Sequence, residues 1–439
     1  MAHLFPDREM GGGGIGKFMG KRSVKVSLLA VVSLVLISAC SAPNLLNRSQ
    51  PTAAVPIDLP MRTQAQLRDF DIAVKTIQSQ YINQKAADAW QAQNAAYRAK
   101  VSAGMDNSEF IATLSSYLGV MNDNDLSIAD AASQTTVTST SGVTTSITGI
   151  GILANLPTAD RNRVLILSVY PASPAADAGL KPHDAIVQID GKPVSAAEGA
   201  AVLARLRGAA GSAVTLTIHT PGKGERDVVV TRKSITAEST FTFNRVPGTN
   251  IGYIQPDGSA VDGARAEISQ ALRDLSAKEG LDGLILDLRI MQNPDFPLTD
   301  LLGLFANGSA GVLQTRTDKT KIEITGKNIA GSQELPLVVM VSDQTLGVAE
   351  SFAGMLQDIG RARIVGTQTT GRLSIINTLT LPNTFAMIQI PAGEYRGVKD
   401  QSWHGVGIKP DVASDLRWED FTVEDDAQLK LAVQALTRQ

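Results

Sequence analysis

The stretch from residue 338 to residue 366 constrains the fold more than any other part of the sequence. It reads VVMVSDQTLGVAESFAGMLQDIGRARIVG. An apolar, β-branched run leads through a turn into an amphipathic helix that ends near Gly360, and a second apolar run, ARIVG, follows. This succession predicts a βαβ unit whose two strands lie parallel in one sheet, because the helix crosses over between them.

The same alternation begins earlier in the chain. The runs NIGYI and GLILDL have the composition of buried strands, and the residues between them, about 262–278, carry apolar side chains at helical spacing. Strands that alternate with helices favour a mostly parallel sheet covered by helices. We therefore predict an α/β domain over residues 237–439.

The region before this domain has two different periodicities. Residues 61–135 repeat large apolar and aromatic side chains at helical spacing, which predicts a helical domain with these groups in its core. From Gly149 to about residue 236 short apolar runs alternate with turn signals, which indicates a β-rich module, and an alanine-rich helix is expected late in it, over residues 196–207. The residues predicted to pack in the helical core are Leu67, Phe70, Val74, Ile77, Tyr81, Trp90, Tyr97, Val101, Phe110, Leu114, Tyr117 and Leu118.

The N-terminus has the pattern of a processed leader. Basic residues precede the apolar stretch Val26–Ser38, which is too short to span a bilayer but has the length of a signal-peptide core. Residues 37–40, ISAC, resemble a bacterial lipobox, in which the cysteine is lipidated and becomes the new N-terminus. The resemblance implies a signal peptide over 1–40 and a lipid on Cys40, and the polar, proline-bearing residues 41–60 predict a tether. A buried N-terminal helix is the alternative.

The residue after the cysteine bears on localisation. Ser41 stands where lipoproteins retained at the inner membrane commonly have aspartate. The expectation is a bacterial envelope protein anchored to the outer membrane by its lipid and facing the periplasm.

Composition excludes several function classes. The net charge is −3, and no basic run with interleaved aromatic residues suggests nucleic acid. Four scattered histidines and one cysteine have no metal-ligand spacing and allow no intrachain disulfide. We expect no metal and no cofactor.

The segment SPAADAGLKPHDAIVQIDGKPV closely resembles the signature of a PDZ domain. The resemblance implies a PDZ β-module over 136–236, in which the loop Gly149, Ile150, Gly151 and Ile152 receives the terminal carboxylate of a peptide. Consecutive unpaired amides form an anion nest while the peptide adds as a strand. A β-module that binds no peptide is the alternative. His183, where the family usually has glycine, is interpreted as a solvated turn residue.

The order of leader, helical segment, PDZ module and α/β domain resembles the carboxyl-terminal processing (tail-specific) serine peptidases. NIGYI, GLILDLR, the stretch 338–366, TTGR and GVGIKPDV carry the resemblance, which covers nearly all of the chain after the leader. It implies a multidomain α+β and α/β protein with a ClpP/crotonase-like, tail-specific-peptidase core.

The catalytic positions of this family depart from its pattern. The family's corner reads close to Ser-Ala-Ser-Ala-Ser-Glu with the middle serine as nucleophile, whereas residues 345–350 read TLGVAE. The resemblance assigns the nucleophile's position to Gly347, the lysine base's position to Arg372 and the supporting glutamine's position to Ile376. Glycine has no nucleophilic atom, and arginine stays protonated at neutral pH.

A fourth departure follows the GLILDLR strand. The family has Asn-Pro-Gly-Gly there, near its oxyanion hole, while residues 293–296 read NPDF. Asp295 would bring negative charge to that region, beside Phe296, and a developing oxyanion would be destabilised by it.

Three hydroxyl residues are the alternatives for a nucleophile. Thr345, Ser342 and Ser374 lie near the altered positions, but none has an evident base in the sequence, and all fit turn or cap roles. We therefore predict a non-catalytic homologue that binds protein C-terminal tails or unfolded envelope proteins. An active serine endopeptidase that uses other residues, and a scaffold that pairs with itself or with an active paralogue, stay open.

Overall fold

The computed structural model describes residues 60–123, 125–129, 146–199, 201–236, 241–256, 263–277, 279–293 and 296–437. The chain divides into two units, Met1–Ile57 and Asp58–Gln439, and all described residues belong to the second. The predicted leader, Cys40 and the tether up to residue 59 therefore lie outside the described residues. Within the described ranges, no helix is both long enough and apolar enough to cross a membrane.

Residues 61–119 form the predicted helical layer. Its helices are α1 (Met61–Gln80), α2 (Gln84–Gln91), α3 (Asn94–Ser102) and α4 (Asn107–Gly119). Stacked aromatic rings fill the core, with Trp90 and Tyr117 centroids 4.1 Å apart, and the Trp90 indole N–H donates to the Tyr117 carbonyl at 2.7 Å. Asp106 begins α4 with a capping box to Glu109, which satisfies backbone N–H groups of its first turn.

The strand β1 (Ser127–Ala129) follows α4, and the predicted PDZ module comes next. Its sheet has the order β3-β4-β5-β7-β8, with β6 beside β5, while β2 pairs with β9. The elements are β2 (Ser146–Gly149), β3 (Ile152–Ala154), β4 (Val164–Val169), α5 (Pro174–Asp177), β5 (Ala185–Ile189), β6 (Lys192–Pro193), α6 (Ala201–Ala204), β7 (Ala213–Thr220), β8 (Gly224–Thr231) and β9 (Lys233–Thr236).

The rest of the chain alternates strands and helices. Its elements are β10 (Thr242–Arg245), β11 (Ile251–Gln255), α7 (Ala264–Ser276), β12 (Gly283–Asp287), α8 (Leu298–Phe305), β13 (Gly308–Thr315), β14 (Lys319–Ile324), β15 (Leu337–Val341), α9 (Val348–Asp358), β16 (Arg363–Gly366), β17 (Ser374–Thr380), β18 (Met387–Arg396), β19 (Val412–Ala413) and α10 (Ala427–Thr437).

The predicted parallel sheet is confirmed. Six strands have the order β10-β11-β12-β15-β16-β19, and every neighbouring pair except β10 and β11 is parallel. Side chains alternate across it: Leu284 and Leu286 pack with α7, α8 and α9, whereas Ile285 packs with α10 on the other face. This two-sided burial explains why the strands read as continuous apolar runs.

A second sheet was not predicted. Strands β1, β18, β13 and β14 are hydrogen-bonded in that order, and β17 pairs with β18, all antiparallel. Ile388 and Ile390 of β18 pack into the core of the helical layer. Helices α1 to α4 therefore pack against a strand that comes much later in the chain, and no local sequence pattern predicts this contact.

Two local predictions were wrong. The alanine-rich helix expected over 196–207 is interrupted at Gly199, whose φ of 52° is not helical, so only Ala201–Ala204 forms α6. His183 is not a solvated turn residue: it is 3% exposed and stacks on Trp418 with ring centroids 3.8 Å apart. Its φ of 74° agrees with the glycine that the PDZ family usually has there.

A buried charge network lies beneath this contact. The Arg289 guanidinium, after β12, forms ion pairs with Asp287 at 2.6 Å and with Asp426 at 2.7 Å. Despite the cost of burial, the paired guanidinium keeps the pKa of Asp287 below its usual value, so the carboxyl stays ionised. The network ties β12 to the residues that precede α10.

Candidate functional site

The corner between β15 and α9 is the centre of the candidate site. Gly347 occupies the N-cap of α9 with φ 64° and ψ −127°, and no side chain caps the helix there. A residue with a Cβ is strained in this conformation, as is the nucleophile in the strand-to-helix elbow of many hydrolases. The corner therefore has the backbone of a nucleophile elbow but carries no side chain.

The two hydroxyl groups nearest this corner in sequence form hydrogen bonds with backbone groups. Ser342 Oγ donates to the Arg289 carbonyl at 2.6 Å, and Thr345 Oγ1 donates to the Leu288 carbonyl at 2.8 Å. Each oxygen also accepts from a backbone N–H of the turn, and both residues are at most 1% exposed. These hydrogen bonds stabilise the turn, and neither hydroxyl is available to attack a substrate.

The loop that carries Arg372 lies directly against the corner. The Gly347 N–H donates to the Arg372 carbonyl at 2.7 Å, and the Gly371 N–H donates to Glu350 Oε1 at 2.8 Å. Burial of the carboxyl raises the pKa of Glu350. The structure thus brings the aligned positions 347 and 372 together, while Ile376 lies in β17 opposite Pro391.

The Arg372 side chain pairs with a residue that the sequence did not point to. Its Nε donates to Asp125 Oδ1 at 2.9 Å, although the guanidinium is 48% exposed. Asp125 comes from the segment between α4 and β1 and is buried. Asp295 lies outside the described residues, and Phe296 is a core residue that packs edge-on against Phe352 at 5.3 Å.

Ser374 has a base beside it, which corrects the sequence interpretation. Its Oγ lies 3.4 Å from His404 Nδ1, and the same nitrogen lies 3.9 Å from Asp125 Oδ2. A hydrolytic triad needs the hydroxyl and the carboxylate on opposite nitrogens of the imidazole ring. One nitrogen then accepts the proton of the hydroxyl, while the N–H of the other is hydrogen-bonded to the carboxylate. Here both groups meet Nδ1, and this arrangement is not a triad.

The predicted carboxylate loop of the PDZ module lies between β2 and β3. Gly151 has a φ of 83°, and a Cβ there would lie 2.3 Å from Ser173 Cβ. Neither the Ile150 N–H nor the Gly151 N–H donates a hydrogen bond to any of the described residues. Ile152 begins β3, the edge strand of the sheet, and Gly149 ends β2 opposite Lys233. The loop therefore presents backbone donors beside an edge of β3 with which no described strand pairs.

Comparison with known proteins agrees with this architecture. The model of peptidase family S41 matches residues 250–414, and a PDZ domain model matches 165–219. A carboxyl-terminal-processing protease of Synechocystis sp. is 30% identical over 300 residues, which cover 66% of this chain and 69% of that protein. The chain belongs to peptidase family S41, the carboxyl-terminal processing proteases.

Other S41 relatives extend the match. A carboxyl-terminal-processing protease of Picosynechococcus sp. is 30% identical over 326 residues, which cover 68% of this chain and 72% of that protein. A solved photosystem II D1 C-terminal processing protease superposes with a TM-score of 0.59 at 22% identity, covering 84% of this chain and 97% of that one. This last likeness shows a shared fold.

Proposed function

We propose that this chain is a non-hydrolytic S41 homologue that binds the C-terminal tails of proteins through its PDZ module. The observation that carries the proposal is the corner itself. Gly347 stands in the elbow where the family has its nucleophile, and Arg372, at the position of the base, is ion-paired with Asp125 at 2.9 Å. The relatives are named as proteases, and the proposal departs from them on these residues.

The chemistry of peptide hydrolysis is missing at both positions. Attack on a carbonyl needs an oxygen or sulfur nucleophile, and glycine supplies neither. The base must be able to take a proton near pH 7, as a desolvated lysine can. Arginine stays protonated at neutral pH. If only one position were altered, either the nucleophile or the base would be retained. Here both positions are altered.

Tail binding is supported by the PDZ loop. The backbone donors of Ile150 and Gly151 can hold a terminal carboxylate while the peptide extends β3 by one strand. The two interactions require only backbone groups, so they are unaffected by the changes at the corner. We expect micromolar affinity for apolar C-termini, about −8 kcal/mol of binding free energy.

Two measurements on the purified full chain test the proposal. A ten-residue fluorescent peptide with an apolar C-terminus should bind, and the same peptide with an amidated terminus should bind at least tenfold more weakly. Incubation with an unfolded, tail-tagged protein should give no cleavage products. Equal binding of both peptides would overturn tail recognition in favour of a scaffold that acts through a paralogue or through self-association. Cleavage that copurifies with the chain would overturn the non-hydrolytic part.

An active serine hydrolase is the second candidate, and the 3.4 Å contact between Ser374 and His404 favours it. In this case a fluorophosphonate probe should label the chain at Ser374, and Ser374→Ala should abolish the labelling. Absence of labelling under conditions that label a known serine hydrolase would exclude this candidate.

We further propose that the chain is a lipoprotein of the bacterial envelope, anchored through Cys40 to the outer membrane and facing the periplasm. The pattern of basic residues, apolar run and ISAC supports this proposal. Its binding partners would then be the tails of envelope proteins, including unfolded ones.

A further inference from the structure

Three potential metal ligands meet beside the candidate site. Asp123, Asp125 and His404 each present one ligand atom, and these atoms all lie within 4.8 Å of one another. We call these residues the Asp–Asp–His cluster. The two aspartates follow α4, whereas His404 belongs to the loop that contacts Gly371, so the cluster forms only in the folded chain.

A fourth potential ligand atom lies beside the cluster. Ser374 Oγ is 3.4 Å from His404 Nδ1, and the Ser374 N–H points to Asp125 Oδ2 at 3.4 Å. A carboxylate and a hydroxyl that converge on a single imidazole nitrogen do not form a Ser-His-Asp triad. They do form the mixed oxygen and nitrogen environment in which a divalent cation is held.

Neighbouring groups hold both carboxylates in place. The Tyr81 hydroxyl donates to Asp123 Oδ2 at 2.7 Å, and the Asp125 N–H donates to Asp123 Oδ1 at 2.9 Å. Arg372 Nε donates to Asp125 Oδ1, which leaves Oδ2 toward His404. Hydrogen bonds that orient a ligating carboxylate are the usual outer support of a metal ligand; for Asp125 the bond from Arg372 goes to the oxygen away from His404, whereas both oxygens of Asp123 accept one.

The distances and charges agree with a small cation. Ligand atoms bonded to one metal ion at about 2.0–2.2 Å lie roughly 3–3.5 Å apart. The cluster, whose atoms lie within 4.8 Å of one another, therefore needs to contract by up to about 1.3–1.8 Å. Two carboxylates against the single Arg372 guanidinium leave one net negative charge. A divalent cation would be attracted by this charge without displacing the arginine.

We propose that the Asp–Asp–His cluster is a binding site for a divalent transition-metal ion, zinc or manganese, with Ser374 Oγ as an additional ligand. The imidazole favours these ions over magnesium and calcium, which prefer all-oxygen sites. Bound metal joins the segment after α4 to the loop of His404, across the residues that flank the former active site. The site is independent of tail binding.

Isothermal titration of the full chain with Zn²⁺ and with Mn²⁺ tests the proposal. Cys40→Ser is present in every variant so that no thiol competes. We expect saturable binding of one ion per chain and a rise of the thermal midpoint of about 3–5 °C. Asp123→Asn and His404→Gln should each weaken binding at least tenfold. Mg²⁺ at the same concentration should neither bind comparably nor compete.

His219→Gln is the matched control, because this histidine lies in β7 of the PDZ module, away from the cluster. It should bind metal as the parent does. Melting in EDTA distinguishes loss of ligands from loss of fold, since the variants should melt with the parent when metal is absent. Cobalt adds a spectroscopic check: its visible absorption bands should change in His404→Gln. Absence of saturable binding, or equal binding in His404→Gln and His219→Gln, would overturn the site.

Discussion

Gly347 has two physical consequences at the level of the single residue. At the position that the resemblance assigns to the nucleophile, glycine offers no atom that could attack a peptide carbonyl, and it avoids the strain that a side chain would experience at a φ of 64°. A Cβ at this position would have the Arg372 carbonyl oxygen, 3.8 Å away, as its neighbour. The corner therefore has room for a serine but imposes a conformational cost on it.

We predict that Gly347→Ser folds, loses about 1–3 kcal/mol of stability and hydrolyses nothing. Denaturant unfolding measures the cost, and an unfolded protein substrate measures the activity. The matched comparison is the triple variant Gly347→Ser, Arg372→Lys, Ile376→Gln, which restores a base that can become neutral. Any hydrolysis should require the lysine, and activity of the single variant would contradict this account.

At the level of the element, the short connection between β2 and β3 determines whether the PDZ module can present its backbone donors. Gly151 is required there for two reasons, its φ of 83° and the 2.3 Å approach that a Cβ would make to Ser173. Gly149, two residues earlier, has neither constraint, because no atom of the described residues lies within 4 Å of a Cβ added to it. The two glycines thus form a natural test and control.

Gly151→Ala should lower the stability of the protein by about 2–4 kcal/mol and abolish binding of free C-terminal peptides, since the loop must move to remove the overlap. Gly149→Ala should change stability by less than about 1 kcal/mol. Thermal unfolding and peptide titration measure both variants. Equal stability of the two would show that the loop is not held as described.

At the scale of the whole molecule, the residues before α10 join the PDZ module to the parallel sheet. The Trp418 indole N–H donates to the Ile166 carbonyl at 3.0 Å, and Arg161 forms ion pairs with Glu419 and Asp343, both at 2.8 Å. His183 stacks on Trp418 and donates from Nδ1 to its carbonyl at 2.6 Å. Asp343 belongs to the turn that leads to the corner, so the PDZ module contacts the candidate site directly.

This contact should weaken in acid. Burial lowers the pKa of His183 from 6.5 to about 4, so the folded protein keeps the ring neutral while the unfolded chain protonates it. Its contribution is present above about pH 6.5 and is lost as the pH falls toward 4. We expect a loss of about 2 kcal/mol between pH 7 and pH 5. His183→Phe, which keeps a ring on Trp418, should lose less over this range in denaturant titrations. An identical loss would assign the pH dependence to other groups.

Processing of the whole chain tests the proposed anchor. Expressed in a bacterium with an outer membrane, the protein should be cut before Cys40 and fractionate with the outer membrane, because lipid modification and cleavage both require the cysteine. Cys40→Ala should accumulate uncut, and mass measurement detects the difference. Normal processing of that variant would contradict lipidation.

The sequence by itself determined the features that depend on neighbours along the chain. Helical spacing placed Phe70 and Tyr117 in a core, continuous apolar runs identified the parallel strands, and the turn between an apolar run and an amphipathic helix located the corner at Gly347. Each of these is a repeat or a motif within about thirty residues, and the hydrophobic effect acts on such patterns in a predictable way.

Only the tertiary structure decided which distant side chains meet. Arg372 pairs with Asp125 across 247 positions, and His404 reaches the cluster from beyond β18. His183 becomes buried because Trp418, 235 positions later, covers it. Charge pairs and ring contacts of this kind depend on how whole layers pack, and no local spacing specifies them. The parallel sheet and the helical layer were therefore predictable from the sequence, whereas the antiparallel sheet and the contacts that surround Arg372 were not.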